Sequence, residues 1–583
     1  MLNQTQQAAA CHGSGPCLVI AGPGSGKTTV LTERILYLVQ ELHIPQEQIL
    51  VVTFTREAAS EMRRRFLWKQ KSSETNVTFG TFHSVFFQIL KEECNYQTTD
   101  ILTAGQKHQM MESCRRQLGI TSSFEELSEE EMSRIQQLFA KKKKEQHRLD
   151  FDDMIGLTHS LLLENQQVLT KWRDRFRYFL VDEMQDMSDG QYEVLKLLAA
   201  PLNNLFMVGD DDQAIYGFRG AKPSIMLGFP SDYPQAKQIV LHVNYRCRQE
   251  IMDCSNRLIV CNEVRFQKEV TSSSKKAGIV RHKSFVTPSE ESLYVTEYIM
   301  KYLKEEQGDI GVLFRNRIQS TLLELQLKSH EITYSAKDAT NSHKNHWIYK
   351  DIRSYLRMGY DTVYREDFLQ VLNKPYRGLP RNGMYQTYVD IPGLALSFRY
   401  DENLYQKLRV LENQRKRIAS LPPFAAVNYI IRGMGYEAYL KELSRKQGVD
   451  MGVYEGILQE LLEVAKEFRD GMTFVNYLFE EDHNASMQNP NARVHLHTFH
   501  GAKGLEFEHV VLLDANEGIT PSKHAVSQEL VEEERRMFYV ALTRAKKELL
   551  VCTVEQRANE LLYPSRFLKE SGIYSSSDAS SSH

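Results

Sequence analysis

The feature that most constrains the fold is a glycine-rich run, Ala-Gly-Pro-Gly-Ser-Gly-Lys-Thr-Thr, at positions 21–29. An apolar run at residues 17–20 comes before it and predicts a buried strand, and residues 30–39 follow with a helix-compatible pattern. Glycines let backbone N–H groups curl around an anion, and a helix N-terminus adds partial positive charge. A strand, loop and helix in this order are typical of a phosphate-binding loop, which predicts that the chain binds a nucleoside triphosphate.

The side chains of this loop have predicted tasks. Lys27 is predicted to reach the β- and γ-phosphates, and the hydroxyl of Thr28 is predicted to bind Mg²⁺. The strict pattern begins with a glycine, where this chain has Ala21. The residues predicted to contact the nucleotide are Ala21, Gly22, Pro23, Gly24, Ser25, Gly26, Lys27, Thr28 and Thr29.

The composition is that of an ordinary globular protein, with 25% charged and 42% hydrophobic residues among 583. That length corresponds to about three to five domains. The net charge of −3 gives no overall basic field, so any binding of nucleic acid must use local patches. No apolar run reaches the ~18 residues of a membrane span. The polar first residues and the eight cysteines without a C-x-x-C pair predict a cytoplasmic protein with reduced thiols and no membrane partner.

Short apolar runs alternate with helical patterns in two groups, which predicts an α/β fold with two parallel-sheet cores. The predicted strands are residues 18–20, 49–54, 179–181, 205–208 and 239–241 in the first core, and 311–314, 494–496, 510–513 and 549–552 in the second. A mostly helical insertion interrupts each core. The predicted division is 1–85 and 149–250 for the first core, 86–148 for its insertion, 251–358 and 491–570 for the second core, 359–490 for its insertion, and 571–583 for a disordered tail.

Two carboxylates follow the third predicted strand. Residues 179–181 are apolar and lead directly to Asp182 and Glu183. A parallel sheet places its chemistry at the carboxyl ends of its strands, so Asp182 is the predicted Mg²⁺ ligand and Glu183 the predicted general base for an attacking water. The alternative is a solvated acidic loop, which the dipeptide alone would favour. The preceding strand and the upstream phosphate loop favour the catalytic interpretation.

Further side chains are candidates for sensing the phosphates or gripping a base. Gln213 follows a strand end and is placed to sense a γ-phosphate, and Phe218 lies in a Gly-flanked segment where it can stack on a base. Arg246 and Arg544 are candidates for charges supplied across a cleft to a transferring phosphoryl group. A lone arginine is more commonly a solvated surface residue, and a phenylalanine is as commonly a core residue, so these assignments depend on the wider pattern.

Taken together, these segments resemble the UvrD/Rep/PcrA family of superfamily 1 DNA helicases from residue 2 to about residue 550. The resemblance implies two RecA-like motor cores that use ATP and Mg²⁺. Its motifs are Leu-Asn-x-x-Gln at 2–6, the phosphate loop at 21–29, Thr-Phe-Thr through Ala-Ala-x-Glu-Met at 53–62, Gly-Thr-Phe-His-Ser at 80–84, Leu-Asp-Phe-Asp-Asp at 149–153, Asp-Glu-Met-Gln-Asp at 182–186, the segment 209–221 that begins Gly-Asp-Asp-Asp-Gln, Asn-Tyr-Arg at 244–246, Thr-Phe-His-Gly-Ala-Lys-Gly-Leu-Glu-Phe at 498–507 and Tyr-Val-Ala-Leu-Thr-Arg-Ala at 539–545.

The resemblance also implies a partner for each candidate residue. The implied roles are Gln6 and Tyr245 at the adenine, Glu506 at the ribose, Thr28 and Asp182 at Mg²⁺, and Lys27, Glu183, Gln213, Arg246 and Arg544 in hydrolysis. The implied DNA contacts are Thr53, Phe54, Thr81, Phe82, His83, Tyr216, Phe218, Arg219, Thr498 and His500. Phe54 can equally pack at its strand end, and His83 and His500 can be interior histidines.

The chain departs from the family pattern at several positions. Arg56-Glu57 stand where members usually have Asn-Lys, Phe218 replaces a tryptophan, and Cys247 and Gly501 replace serines. Both helical insertions look shorter than in full-length relatives, and the usual long C-terminal extension is expected to be absent. These departures bear on DNA grip, processivity and partners rather than on ATP chemistry.

The resemblance predicts an ATP-dependent DNA helicase of the bacterial cytosol or nucleoid. It is expected to move 3′→5′ on single-stranded DNA and to unwind duplexes with a 3′ single-stranded tail in repair, replication or recombination. The shorter insertions keep a second function open, an ATP-driven translocase that remodels protein–DNA complexes with little unwinding. A third hypothesis is the motor subunit of a larger repair complex. Unwinding measured beside protein displacement separates the first two, and a co-purifying partner would indicate the third.

Overall fold

The structure is a computed structural model that describes residues 2–120, 124, 127–217, 220–305, 308–336, 346–381, 386–447, 451–479, 489, 491–557 and 560–574. Within this part of the chain, no helix combines the length and the apolar character that a bilayer crossing demands.

Strands and helices alternate along both halves of the chain. The strands are β1 (Cys17–Ala21), β2 (Ile49–Thr53), β3 (Thr78–Thr81), β4 (Tyr178–Val181), β5 (Leu205–Gly209), β6 (Lys237–Leu241), β7 (Val243–Asn244), β8 (Thr271–Ser272), β9 (Ile279–Phe285), β10 (Ile310–Phe314), β11 (Val494–Thr498), β12 (Phe507–Leu512), β13 (Ala545–Val554), β14 (Gln556–Arg557) and β15 (Glu560–Leu561). The α-helices are α1 (Gln4–Ala10), α2 (Lys27–Gln40), α3 (Arg56–Gln70), α4 (Phe82–Cys94), α5 (Ala104–Gln117), α6 (Glu129–Glu145), α7 (Phe151–Glu164), α8 (Gln166–Arg175), α9 (Asp189–Ala199), α10 (Pro223–Asp232), α11 (Gln249–Ile259), α12 (Pro288–Lys304), α13 (Thr321–Ser329), α14 (Trp347–Tyr360), α15 (Arg365–Val371), α16 (Ile391–Ser397), α17 (Glu402–Ala419), α18 (Pro423–Asn428), α19 (Tyr436–Gln447), α20 (Met451–Lys466), α21 (Gly471–Phe479), α22 (Gln528–Leu542) and α23 (Arg566–Glu570).

The first core is a sheet in the order β3-β2-β4-β5-β1-β6, and every pairing in it is parallel. Strands β1, β2 and β5 are buried apolar runs, as a sheet covered on both faces requires. Leu18 pairs with Met207 and Val52 with Val181, so the carboxyl ends of β1, β2, β4 and β5 meet at one edge. Parallel sheets bind their ligands at this edge, and the phosphate loop and the Asp182–Glu183 pair both follow strands that end there.

The second core is a parallel sheet in the order β11-β10-β12-β13-β9. The predicted fold class, α/β with two parallel-sheet cores, is therefore confirmed. Each predicted strand corresponds to a strand of these sheets, but the edge strands β3 and β9 were not predicted. β9 reads Ile-Val-Arg-His-Lys-Ser-Phe, and its charged centre faces solvent at the sheet edge, so it lacks the apolar run that marks a central strand.

Along the chain, helices connect the successive strands of each sheet. Between β3 and β4, α5 and α6 pack around an apolar cluster of their own that includes Leu102 and Phe139. Between β10 and β11, helices α14 to α21 surround a second cluster that includes Ile348 and Leu478. Ile348 lies before the predicted domain limit at residue 359, and α4 runs across the predicted limit at residue 85. The exact domain limits stay predictions.

The described chain ends at Tyr574. Ser571 is buried, and the ring of Tyr574 contacts the ring of His282 with centroids 5.3 Å apart. The packed chain thus continues beyond residue 571, the predicted start of the disordered tail, because these side chains find partners on the second core. Residues 575–583 of that predicted tail lie outside the described residues.

Candidate active site

The phosphate loop joins β1 to α2 at the carboxyl edge of the first sheet. Gly24 and Gly26 adopt positive φ angles of 61° and 84°, which glycine tolerates without strain. Gly26 is the N-cap of α2 and supplies no side-chain hydrogen bond to the first turn. The uncapped N–H groups at the start of a helix, together with Lys27, form a ready site for phosphate oxygens. The loop therefore fits the predicted triphosphate.

The predicted adenine contacts come together beside this loop. Gln6 is 5% exposed and donates from Nε2 to the Ser25 carbonyl at 2.9 Å. Its Oε1 accepts from the backbone N–H of Asn3 at 2.9 Å, and Asn3 Nδ2 donates to the Tyr245 hydroxyl at 2.8 Å. Tyr245 is 51% exposed. A polar amide and an open aromatic face at the same end of the loop suit a flat, hydrogen-bonding base.

Asp182 and Glu183 follow β4 and lie close to Lys27. Glu183 has a left-handed backbone with φ of 54°, and its Oε1 lies 3.6 Å from Lys27 Nζ. Burial and the neighbouring Glu183 charge raise the pKa of Asp182 to about 7. Burial also acts to raise the pKa of Glu183, but the charges of Lys27 and Lys503 outweigh it and lower that pKa to about 2. Glu183 is therefore ionised at neutral pH, which a general base requires.

Thr28 and Asp182 are the candidate ligands for Mg²⁺. A hydroxyl and a carboxylate are hard oxygen donors of the kind that Mg²⁺ takes together with phosphate oxygens and water. The charge repulsion between Asp182 and Glu183 is one cause of the raised pKa of Asp182, and a divalent cation would relieve it. The residues present therefore fit the ion, which when bound neutralises charge on the phosphates.

The predicted catalytic arginines lie at the junction of the two cores. Arg544 is 1% exposed, and its Nη2 donates to Gln213 Oε1 across the junction at 3.3 Å. The Gln213 amide in turn donates to the carboxylate of Asp210. Arg246 donates from Nε to Glu506 Oε2 at 2.8 Å. The structure thus places Gln213, the predicted γ-phosphate sensor, next to Arg544. It places Arg246 next to Glu506, the predicted ribose contact.

Lys503, a residue without a predicted role, also connects the two cores. Its Nζ donates to Asp186 Oδ2 at 2.5 Å and to the Gln213 carbonyl at 2.8 Å, and it lies 4.9 Å from the centre of the Tyr216 ring. Burial raises the pKa of Asp186 to about 6, although the Lys503 charge opposes this. Lys503 lies inside the 498–507 motif, so its place in that motif was a sequence feature by which it could have been chosen as a candidate.

Three of the rings predicted to contact DNA form a row across the junction. Phe54 and Tyr216 stack with 5.0 Å between ring centres and 15° between planes, and Tyr216 lies 6.3 Å from His500. Phe54 follows β2 in the first core, and His500 follows β11 in the second. All three residues are half-buried, so each keeps some surface for a base.

Other predicted DNA contacts in the first core are more enclosed. Phe82 is 6% exposed and packs against Phe86 with ring centres 5.9 Å apart. Thr53 is 1% exposed, and Thr81 is the N-cap of α4, where its hydroxyl accepts from the backbone N–H of Ser84. DNA contact by these residues stays a prediction.

The remaining DNA candidates are His83, Thr498, Phe218 and Arg219. His83 is half-buried, and burial lowers the pKa of its imidazole. The hydroxyl of Thr498 accepts from the backbone N–H of Gly501 at 3.0 Å, which shapes the turn that carries His500. Phe218 and Arg219 lie outside the described residues. Contact of these four residues with DNA stays a prediction.

Two parallel-sheet cores that meet at one phosphate loop define a two-core nucleoside triphosphatase, and comparison with known proteins gives its family. Residues 239–556 match the UvrD-like helicase C-terminal domain, and residues 2–111 and 96–234 match the UvrD/REP helicase N-terminal domain. The chain belongs to the UvrD/Rep family of helicases.

Named relatives resemble the chain over nearly its whole length. It is 32% identical to ATP-dependent DNA helicase Rep of Escherichia coli, over 98% of this chain and 94% of that protein. It is 31% identical to ATP-dependent DNA helicase Rep of Salmonella typhimurium, over the same shares of 98% and 94%. It is 29% identical to ATP-dependent DNA helicase PcrA of Staphylococcus epidermidis, over 98% of this chain and 86% of that protein.

Proposed function

We propose that this UvrD/Rep-family helicase uses ATP and Mg²⁺ to move 3′→5′ along single-stranded DNA and to unwind duplexes that carry a 3′ single-stranded tail. Relatives that match nearly the whole chain are named ATP-dependent DNA helicases, which supports a DNA substrate. Those relatives are bacterial, so the proposed place of action is the bacterial cytosol, on the nucleoid. The proposed direction follows the general behaviour of the family.

The observation that carries the proposal is the contact between Arg544 and Gln213 across the junction of the cores. A γ-phosphate sensed by Gln213 would lie within reach of a guanidinium that belongs to the other core. Charge that develops on a transferring phosphoryl group is then stabilised only while the second core is in place. Hydrolysis is thereby tied to the relative position of the two sheets, which a motor requires.

The chain's own residues divide the hydrolytic step between them. Lys27 and the uncapped start of α2 hold the phosphates, and Glu183 accepts the proton of the attacking water. Arg544 and Arg246 stabilise the charge that builds up as the bond to the leaving phosphate breaks. The ionised state of Glu183, which Lys27 supports, makes the base ready at neutral pH.

The row formed by Phe54, Tyr216 and His500 supports a single-stranded substrate. Base–aromatic stacking tolerates any sequence and contributes roughly 1–3 kcal/mol per base. Lys503 contacts Tyr216 and the Gln213 backbone, so the row adjoins the proposed γ-phosphate sensor. Single-stranded DNA bound on this row would therefore be affected by changes at the nucleotide. Binding is expected to weaken with salt, because phosphate contacts release counterions.

The direct test is to follow arrival of the protein at the end of single strands labelled at either the 3′ or the 5′ terminus. We expect an ATP-dependent arrival signal at the 5′ end only. Glu183→Gln is the matched control, because it should bind the strand and lose about 10²–10⁴-fold in hydrolysis. Arrival at the 3′ end alone, or equally at both ends, would contradict the proposed direction.

The unwinding part of the proposal has its own test. Duplexes with a 3′ or a 5′ single-stranded tail are compared with a single strand that carries a bound protein block. Strand separation on the 3′-tailed duplex is expected. Displacement of the block without strand separation would instead support the translocase that remodels protein–DNA complexes.

A further inference from the structure

Three consecutive carboxylates lie buried between β5 and Gln213. Asp210, Asp211 and Asp212 are 0%, 1% and 0% exposed, and their oxygens come within 4.8 Å of one another, close enough to hold a metal ion. The ammonium of Lys268 takes that position instead. Its Nζ lies 2.9 Å from Asp210 Oδ1 and 2.9 Å from Asp212 Oδ2, and it also contacts Asp211. The cluster is therefore a salt-bridge network with an internal cation rather than a metal site.

A second cation completes the network. Arg265 donates from Nε to Asp212 Oδ1 at 2.8 Å and from Nη2 to Asp212 Oδ2 at 2.7 Å. Burial acts to lower the pKa of Lys268, but the three aspartate charges outweigh it and raise that pKa above its ordinary value. Lys268 is thus charged at neutral pH, and removing it would leave buried carboxylates without their main counterion.

The segment that carries these two cations is held by the helix that leads to Arg544. Asn262 Nδ2 donates to the Glu532 carbonyl at 3.1 Å, and Arg536 Nη2 donates to the Val264 carbonyl at 3.2 Å. Glu532 and Arg536 both lie in α22, which ends at Leu542, just before Arg544. Residues 262–268 therefore bridge α22 of the second core to the acidic cluster of the first.

The acidic cluster in turn orients the Gln213 side chain. The Gln213 Nε2 group donates to Asp210 Oδ2, which leaves the amide oxygen as the atom that accepts from Arg544 Nη2 at 3.3 Å. Asp210 uses its other oxygen for Lys268. The contacts thus close a ring, from α22 through Lys268, Asp210 and Gln213 back to Arg544.

We propose that Lys268 is a positioning residue for hydrolysis, which holds Asp210 so that the Gln213 amide oxygen faces the Arg544 guanidinium. The inference rests on the proposed function, because that function assigns Gln213 and Arg544 to the γ-phosphate. Without Lys268, repulsion among the three aspartates would move Asp210, and the Gln213 amide would lose its fixed orientation. Binding of the nucleotide by Lys27 and Gln6 would be unaffected, because those residues lie outside the ring.

The test uses the full chain and measures ATP hydrolysis with saturating single-stranded DNA. Lys268→Met is expected to lower kcat at least about tenfold, as loss of one oriented group in a charge-stabilising site does. The KM for ATP is expected to change little, because only the catalytic step depends on the Gln213–Arg544 alignment. Lys268→Arg, which keeps the charge, should recover much of kcat. Lys276→Met, at an exposed lysine of the same connecting segment, is the matched control and should equal the wild type.

A double-mutant cycle separates positioning from a general structural role. If Lys268 acts through Gln213, the variant with both Lys268→Met and Gln213→Ala should be no slower than Gln213→Ala alone, since neighbouring residues in one network are not additive. Losses that multiply, or a folded Lys268→Met variant with wild-type kcat, would overturn the proposal.

A further variant keeps the test decisive if Lys268→Met does not fold. Asp210→Asn leaves Lys268 paired with Asp211 and Asp212 while it weakens the hold on the Gln213 amide. The same selective loss of kcat is expected, and wild-type kcat in this variant would overturn the inference. A wild-type chain that does not hydrolyse ATP in the presence of DNA would instead reject the proposed function itself.

Discussion

At the scale of single residues, two lysines of the candidate nucleotide site are paired with its carboxylates. Lys27 faces Glu183 at 3.6 Å, and Lys503 faces Asp186 at 2.5 Å. Each lysine therefore has an anionic partner before a phosphate arrives. The low pKa of Glu183 follows from this arrangement, since the two ammonium groups outweigh the effect of burial. In the proposed mechanism phosphate shares Lys27 with the Glu183 carboxylate, so this lysine would link nucleotide binding to the charge of the proposed general base.

Lys27→Ala should lower ATP turnover by at least about 10²-fold, because a positioned cation at the phosphates is lost. Binding of single-stranded DNA should be largely retained, since the row of Phe54, Tyr216 and His500 does not include Lys27. Phosphate release measures the first effect, and fluorescence anisotropy of a labelled strand measures the second. Near-wild-type turnover would refute the phosphate-loop assignment.

Arg544→Lys should lower kcat strongly while the affinity for ATP changes little. Lysine keeps the charge but not the planar guanidinium, whose Nη2 donates to Gln213 while Nε and Nη1 donate to backbone carbonyls, and a group that acts on transition-state charge affects the catalytic step. Single-turnover hydrolysis and equilibrium binding of a fluorescent nucleotide measure the two quantities separately. An affinity that falls in step with the rate would mean that Arg544 holds the ground state instead.

At the scale of elements, one carboxyl at the contact between α20 and α13 makes that contact sensitive to pH. Glu460 of α20 is 4% exposed and accepts from the Thr321 hydroxyl of α13 at 2.8 Å. Burial raises the pKa of Glu460 to about 8, which outweighs the hydrogen bonds from Tyr349 and Thr321. Glu460 is thus mostly protonated at neutral pH. One of the contacts between the helical insertion and the second core is therefore made by a neutral acid.

Glu460→Gln should change how stability depends on pH. Because the folded-state pKa is raised from 4.5 to about 8, the stabilising effect of the protonated acid is complete below pH 4.5 and is lost as pH rises through 8. The variant and the wild type should unfold at similar temperatures near pH 4.5, and the variant should be more stable than the wild type above about pH 8. Thermal unfolding across this range is the measurement, and Glu455→Gln in the same helix is the control. Parallel profiles for wild type and Glu460→Gln would contradict the assignment.

The elements also show what a sequence can predict. Central strands such as β1 and β5 are fully buried, so their apolar runs are visible in the sequence. The edge strands β3 and β9 are partly exposed and lack such runs, so only pairing with a neighbour defines them.

The site divides in the same way. Lys27, Asp182 and Arg544 lie in short sequence motifs, so the sequence alone marks them as candidates. The contacts of Lys503 and Lys268 are made with residues hundreds and tens of positions away, which only the folded chain brings together.

At the scale of the whole molecule, the two sheets are expected to approach each other when nucleotide and DNA bind. Cys11, which follows α1, and Cys261, which follows α11, are exposed, and the half-buried Cys94 is replaced by serine so that it is not labelled. Energy transfer between dyes on Cys11 and Cys261 should change when single-stranded DNA, Mg²⁺ and a non-hydrolysable ATP analogue are added together. Lys27→Ala should show no such change. A constant signal in the wild type, with the analogue demonstrably bound, would contradict closure.

The proposed contact with the adenine of ATP depends on residues near the start of the sequence, since Asn3 contacts Tyr245 and Gln6 contacts the phosphate loop. A preparation that lacks residues 2–6 would keep both sheets and the phosphate-binding loop. It would lose the proposed adenine contacts and, with them, its selectivity for ATP over other nucleoside triphosphates. Turnover of GTP or CTP beside ATP would reveal such trimming before any loss of speed did.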